Sequence, residues 1–127
     1  MPNQSQSATN QALDRVFHAL SDPTRRAIMS RLGQGPASVS ELAKPFAMAM
    51  PSLLQHLQVL EESRLIRTAK VGRVRTCEMQ PVALDAAGHW IAEQRALWEG
   101  RLDRMEAYAK SLHKQEKKRD TKRFGKR

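Results

Sequence analysis

Leu13, Val16, Phe17 and Leu20 stand three and four residues apart, the spacing that gathers side chains on one face of an α-helix, and they predict a first helix over 13–20. Ser21-Asp22-Pro23 ends that helix and starts another. Asp22 can cap, and Pro23 suits the first helical position because its missing N–H would be unpaired there anyway. The second helix runs to about Leu32 with Ala27, Ile28 and Leu32 inward, and Gly33-Gln34-Gly35-Pro36 breaks it. Ser40 opens a short third helix with Leu42 and Ala43 inward, limited by Pro45. A turn through Ala47-Met48-Ala49-Met50 leads to a fourth helix from Pro51 to about Ser63, with Leu53, Leu57 and Leu60 at helical spacing.

The period then changes. Ile66-Arg67-Thr68-Ala69-Lys70 and residues 73–79 are rich in β-branched positions and flank Val71-Gly72, which predicts a β-hairpin that Pro81 ends. From Val82 to about His113 there is no proline, and Leu84, Ala87, Ile91, Trp98, Leu102, Met105 and Leu112 fall at steps of three, four or seven. This is one long amphipathic helix of about 30 residues. The fold class is therefore mainly α with a small β-hairpin. Two helices joined by a short turn and followed by a basic hairpin are the order of a winged helix-turn-helix, here with a long terminal helix for dimerisation. Residues 13–113 form one DNA-binding and dimerisation domain, and residues 1–12 and 114–127 are expected to be disordered.

Charge sharpens this picture. The chain has 127 residues, enough for one domain, and a net charge of +9. Residues 23–80 carry nine basic and four acidic residues, and residues 114–127 carry eight and two, whereas 81–113 is close to neutral. Positive charge confined to the middle block and the tail implies a polyanionic partner for those parts and a different task for the long helix. The single cysteine, Cys77, excludes an internal disulfide framework and fits a reducing compartment. No apolar run approaches the roughly 18 residues of a membrane span, and the polar, uncharged start is unlike a signal peptide. The expectation is a cytoplasmic protein with no membrane partner.

The middle block fits duplex DNA. The fourth helix can enter the major groove, where each base pair shows a distinct donor and acceptor pattern. Its outward face offers Ser52, Leu54, Gln55, His56 and Gln58, with Ser40 on the helix before it. Glutamine and serine can read base edges, and Leu54 can touch a thymine methyl. The hairpin offers Arg67, Lys70, Arg73 and Arg75 to phosphates or to the minor groove. Each residue alone is an ordinary surface position, and His56 alone could equally pack or hydrogen-bond locally; their ordered combination carries the reading. The competing binder is a sequence-blind architectural protein, which would need only lysine and arginine. An enzyme is not expected: His18, His56, His89 and His113 are scattered along the chain, and there is no nucleophile elbow, phosphate-cradling loop or metal-protease motif. The tail is expected to add non-specific affinity.

Ala19-Leu20-Ser21-Asp22-Pro23-Thr24-Arg25-Arg26, Val39-Ser40-Glu41-Leu42-Ala43, His56-Leu57-Gln58-Val59-Leu60-Glu61 and Gly72-Arg73 together resemble the ArsR-type winged-helix repressors over roughly residues 13–112. Trp90-Ile91 and Arg95-Ala96-Leu97-Trp98-Glu99 resemble the metal-independent branch with a tryptophan-rich last helix. The resemblance implies a dimeric repressor whose first and last helices form the interface, here Leu13, Val16, Phe17, Leu84, Ile91, Trp98, Leu102 and Met105. A homodimer presents two recognition helices to a pseudo-palindromic operator with half-sites roughly 34–36 Å apart. The chain departs from the family at Ala49 and Leu54, where a polar cap and a serine are common. No cofactor is expected. Metal-sensing relatives carry cysteines on the helix before the turn, where this chain has Ser38-Val39-Ser40-Glu41-Leu42-Ala43-Lys44. Asp85, His89 and Glu93 share one helical face, but Ala87 occupies the place where relatives that sense zinc have a histidine, so the face reads as solvated. The effector is not legible.

Overall fold

The computed structural model describes residues 4–125, with side chains described over 7–119. The order of elements is α1 (Gln4–Leu20), α2 (Pro23–Leu32), β1 (Ala37–Ser38), α3 (Val39–Ala43), α4 (Met50–Glu62), β2 (Ile66–Val71), β3 (Val74–Met79) and α5 (Pro81–Gly125). The chain divides into two compact units, Met1–His89 and Trp90–Arg127. No helix among the described residues is long and apolar enough to cross a membrane.

The first unit is built around α4. Leu53, Leu57 and Leu60 are at most 2% exposed and join Ile28, Leu32, Leu42, Leu65 and Ile66 in one core. Each such leucine is worth about 2–5 kcal/mol against alanine, a large share of the roughly 5–15 kcal/mol that holds a domain. In α2 the inward row is Arg25, Ile28, Met29 and Leu32, and Ala27, expected inward, is exposed. The helix starts where expected, with Asp22 as its cap and Pro23 in its first turn, but position 27 falls roughly opposite the buried row around the helix. The row at 25, 28, 29 and 32 then faces the core.

The third helix is capped by Ser38, whose Oγ accepts from Glu41 N at 3.1 Å. Ser40, expected to open it, lies exposed in its first turn. The three-stranded sheet has order β1-β3-β2, all antiparallel. The two-residue strand β1 was not expected; Ala37 pairs with Cys77 and closes the edge of the hairpin against the core. Val71 pairs with Val74, so the turn is Gly72-Arg73, one residue later than Val71-Gly72. Gly72 has φ +64°, the positive value that the first central residue of a type II′ turn requires.

α4 ends in a six-residue backbone motif. Leu65 N donates to Leu60 O at 3.0 Å and Arg64 N to Glu61 O at 3.0 Å, with Arg64 at φ +61°. This is a Schellman ending, completed by the apolar pair Leu60 and Leu65, both 0% exposed. Glycine usually holds the left-handed position; here it is an exposed arginine.

Both terminal segments differ from expectation. α1 begins at Gln4, so most of the stretch read as disordered up to residue 12 is helical, and α5 continues through the basic tail to Gly125. Once a helix is nucleated, adding residues is cheap, and Gln, Ala, Lys, Glu and Arg are good helix formers. Residues 1–3 and 126–127 of those two segments lie outside the described residues.

Two predictions follow from the helix ends. The backbone N–H of Arg25 donates to Asp22 Oδ2 at 3.0 Å, and this bond, opposed by burial and helped by His56 and then Arg25 beside it, holds the Asp22 carboxyl below its ordinary value. A depressed carboxyl stabilises the fold above its unfolded value and loses that effect as pH falls through the folded value. Asp22→Ala should therefore cost about 1 kcal/mol near neutral pH, and the deficit should shrink below about pH 4. Urea midpoints at pH 7 and pH 3 check this; a deficit that does not change with pH contradicts it. Arg64→Gly should raise stability by about 0.5 kcal/mol, the left-handed strain relieved less the extra chain entropy of glycine. A lower unfolding midpoint for that variant would show that the arginine side chain itself stabilises the turn.

Candidate nucleic-acid interface

Because Leu53, Leu57 and Leu60 face the core, the opposite side of α4 is left to solvent. Ser52, Leu54, Gln55 and Gln58 are exposed there, Leu54 at 38%. Ser52, Gln55 and Gln58 follow one another at three-residue steps and so lie on neighbouring turns. Gln58 is not idle: its Nε2 donates to Glu62 Oε1 at 3.1 Å, and it must release that bond to reach a base. Ala49 gives no side-chain cap to α4, as its apolar side chain dictates. In the exposed first turn Ser52 N donates to Ala49 O at 3.0 Å and Pro51 has no N–H, which leaves Met50 N–H to solvent or to an external acceptor.

His56 leaves the outward face and hydrogen-bonds locally, the second of its two expected places. Its ring is only 23% exposed, and Nδ1 lies 3.1 Å from Arg25 Nη1 and 3.7 Å from Asp22 Oδ2. It sits on the flank of α4, between the core row and the exposed row, tied to α2. Its position along the helix is one step past Gln55, which turns it about 100° toward the core.

The hairpin separates its four basic residues by partner. Arg67 lies directly opposite Glu78 and donates to it at 2.8 and 3.1 Å. Arg75 reaches Glu61 at 3.6 Å and Thr68 Oγ1 at 3.4 Å, while Glu61 also accepts from Thr68 at 3.0 Å. Lys70 and Arg73 have no acidic partner among the described residues, and Lys70 is directly opposite Arg75 in the register. Like charges facing each other across two strands repel. The wing tip therefore holds an excess of positive charge that a polyanion relieves. Lys44 and Arg64, not singled out from the sequence, are further exposed cations of this unit with no acidic partner among the described residues. Arg64 escaped notice because only its backbone conformation sets it apart.

Arg25 also escaped notice, although it occupies an inward place in the row at 25, 28, 29 and 32. A charged residue in an apolar row is the signal that would have found it. Cys77 belongs wholly to the core at 0% exposure, and burial pushes its thiol up. Among the described residues no group of three or more His, Cys, Asp or Glu side chains could hold a metal ion.

The residues assigned to a dimer interface separate too. Val16 is 2% exposed, buried in the core of its own chain with Ala19, so it has no surface left for a partner. The row at 16 and 19, rather than the row through Phe17, is what faces inward. Leu13 and Leu84 are half-buried against the same core, and Phe17 is 36% exposed. In the second unit Ile91, Trp98, Leu102 and Met105 are all exposed, together with Leu97, Tyr108 and Leu112.

A helix-turn-helix domain family matches residues 20–69. The chain is 40% identical over 79 residues to the HTH-type transcriptional regulator Rv2034 of Mycobacterium tuberculosis, covering 62% of this chain and 74% of that one. It is 29% identical over 79 residues to the transcriptional repressor SdpR of Bacillus subtilis, covering 62% and 88%. Its fold matches the crystal structure of an ArsR family transcriptional regulator with a TM-score of 0.68 at 54% identity, over 71% of this chain and 93% of that one. An ArsR-like transcriptional regulator from Rhodococcus sp. RHA1 gives a TM-score of 0.68 at 30% identity, over 80% and 96%. In sequence, in the order of its elements and in the shape of its winged helix-turn-helix, this chain belongs to the ArsR family of transcriptional regulators.

Proposed function

We propose that this DNA-binding regulator is a cytoplasmic repressor that works as a homodimer on a pseudo-palindromic operator. The observation that carries the DNA contact is the division of α4: three leucines are spent in the core and Ser52, Leu54 and Gln55 remain exposed on the far side. Those three read base edges in the major groove, while Lys70 and Arg73 hold the flanking backbone and Arg75 joins them on leaving Glu61. Ser40, on the exposed side of α3, and Arg67 lie at the edge of this surface, with Arg67 already neutralised by Glu78. SdpR is named a repressor, and repression is the simplest outcome of a bound operator.

The dimer rests on the second unit. Ile91, Trp98, Met105 and Leu112 recur every seven residues, and Leu102 lies between them on the same side. A heptad row of exposed apolar side chains is the seam of a helix pair, and a stable interface needs about 800 Å² from each partner. Leu13, Phe17 and Leu84, half-buried or at the margin of the core, extend the apolar surface of the first unit. The basic residues from Lys114 onward add charge that favours any DNA and specify none.

Release from the operator in this reading does not pass through a metal. Position 77 is the only cysteine, buried and with its thiol pushed up, and α3 carries no soft ligand. Asp85, His89 and Glu93 remain surface positions of α5.

Two measurements test this. Gln55→Ala should weaken binding to a duplex enriched from a random pool by about tenfold while barely changing binding to unrelated DNA. Arg73→Ala should weaken both alike and reduce the slope of affinity against salt by about one charge. Equal losses for Gln55→Ala on both duplexes would favour the sequence-blind architectural binder. Sedimentation at micromolar concentration should give a dimer, and Trp98→Glu should give a monomer that keeps its helical content. A wild-type monomer at that concentration contradicts the dimer.

A further inference from the structure

Arg25 is the only charged side chain among the described residues that is buried, at 9% exposure. A guanidinium taken out of water needs an acceptor for each arm, since an unpaired buried charge costs several kcal/mol. It finds three. Nε donates to Ala19 O at 2.7 Å and Nη2 to His18 O at 3.2 Å, carbonyls of the last turn of α1 that have no partner inside the helix. A positive charge at a helix C-terminus is favourable in its own right. Nη1 crosses to α4 and meets His56 Nδ1 at 3.1 Å.

As a hydrogen bond, that last contact has only one chemical form. A guanidinium has five N–H donors and no acceptor. Nδ1 of His56 must therefore accept, the ring must be neutral, and its one proton must sit on Nε2. The ring is 23% exposed, no buried side-chain nitrogen or oxygen among the described residues lacks a partner, and Nε2 bonds to none of them. Its N–H is thus turned to the surface. A cation donating to one nitrogen of an imidazole withdraws electron density from the ring and strengthens the N–H on the other.

Of the charged groups beside the ring, the Asp22 carboxylate at 3.7 Å favours a proton on Nδ1, and the nearer Arg25 guanidinium at 3.1 Å opposes one. On α4 the positions three and four residues away are Ser52, Leu53, Val59 and Leu60, none of them charged. The Asp22 oxygen, at 3.7 Å from Nδ1, is beyond hydrogen-bond reach and is already engaged by the Arg25 N–H at 3.0 Å. Position matters as well. His56 is on the flank of α4, and the flank of a helix lying in the major groove meets the groove wall, which is lined by phosphates.

We propose that Arg25 is a positioning residue for DNA binding: anchored on the end of α1, it holds His56 in the Nε2–H form and presents that N–H to a phosphate oxygen at the edge of the groove. This rests on the DNA-binding reading above and moves His56 from the base-reading group to the backbone contacts. Because the histidine donates as a neutral group, it neutralises no phosphate and releases no counterion. Its loss lowers affinity without changing the salt slope, unlike the loss of Arg73.

The test uses the full chain, a duplex it enriches from a random pool and an unrelated duplex. Nitrogen NMR of the free protein at neutral pH should show His56 Nδ1 unprotonated and Nε2 carrying the proton. His56→Ala should lose about tenfold on both duplexes with the salt slope kept, and His56→Gln, whose amide N–H can reach the place of Nε2–H, should recover most of it. Arg25→Met should lose a similar factor, and the double variant with His56→Ala should lose no more than either alone. A proton on Nδ1, losses that add in the double variant, or full affinity in His56→Ala each overturn the proposal. If Arg25→Met fails to fold, the tautomer and the comparison of alanine with glutamine at 56 still decide it. A wild-type protein that binds neither duplex overturns the DNA reading itself, whatever the tautomer.

Discussion

The burial of Leu53, Leu57 and Leu60 is the constraint on which the rest of the first unit depends. Those side chains fix the rotation of α4 about its own axis, and with it which residues are left outside. The same core receives Leu42 from α3, Leu65 and Ile66 from the start of the hairpin and Cys77 from its returning strand. The wing is thus held at the end of α4 by apolar contact and by the Schellman ending at Leu60 and Leu65, and not by the long-range attraction of its charges. An exposed ion pair such as Arg67–Glu78 contributes little beside this; pairs of that kind are worth roughly 0–1 kcal/mol, against 2–5 for one buried leucine.

Electrostatics therefore governs what the domain meets more than how it folds. Acids that neutralise part of the wing come from α4 and β3, and what remains uncompensated lies at the tip, at Lys70 and Arg73. Two charges do serve the fold: the Asp22 carboxylate that caps α2, and Arg25, which is buried with an acceptor on each arm. The Arg25 side chain ties the end of α1 to the flank of α4, while its backbone N–H receives the cap of α2, so one residue sets the relation of three helices.

Much of this was legible in the sequence, for stated reasons. The leucine row of α4 has no competing period, so its inward face was read correctly. Asp22-Pro23 marks the start of α2 because a cap and a first-turn proline act through the backbone alone. The residue types of the wing and its central glycine announced a hairpin, and only its turn moved by one place. What failed was whatever depends on tertiary context. Arg25 took an inward place that an apolar scale gives to Ala27. Val16 looked like interface because a sequence cannot tell whether an apolar row faces its own core or a partner. His56 looked outward because its burial depends on an arginine 31 residues away. Strand β1 is two residues long and has no pattern of its own; it exists because the edge of β3 is there to pair with. The helical ends of α1 and α5 lack an apolar stripe, and composition alone read them as disordered.

The central claim is that the outer face of α4 reads DNA in the major groove. Methylation interference tests it most directly, because dimethyl sulfate marks guanine N7 in the major groove and adenine N3 in the minor groove of the same duplex. With a duplex enriched by the full chain, the account predicts that N7 methylation blocks binding at two clusters of guanines about one helical turn apart. Binding that tolerates N7 methylation throughout, or that is blocked only by adenine N3 methylation, would contradict it.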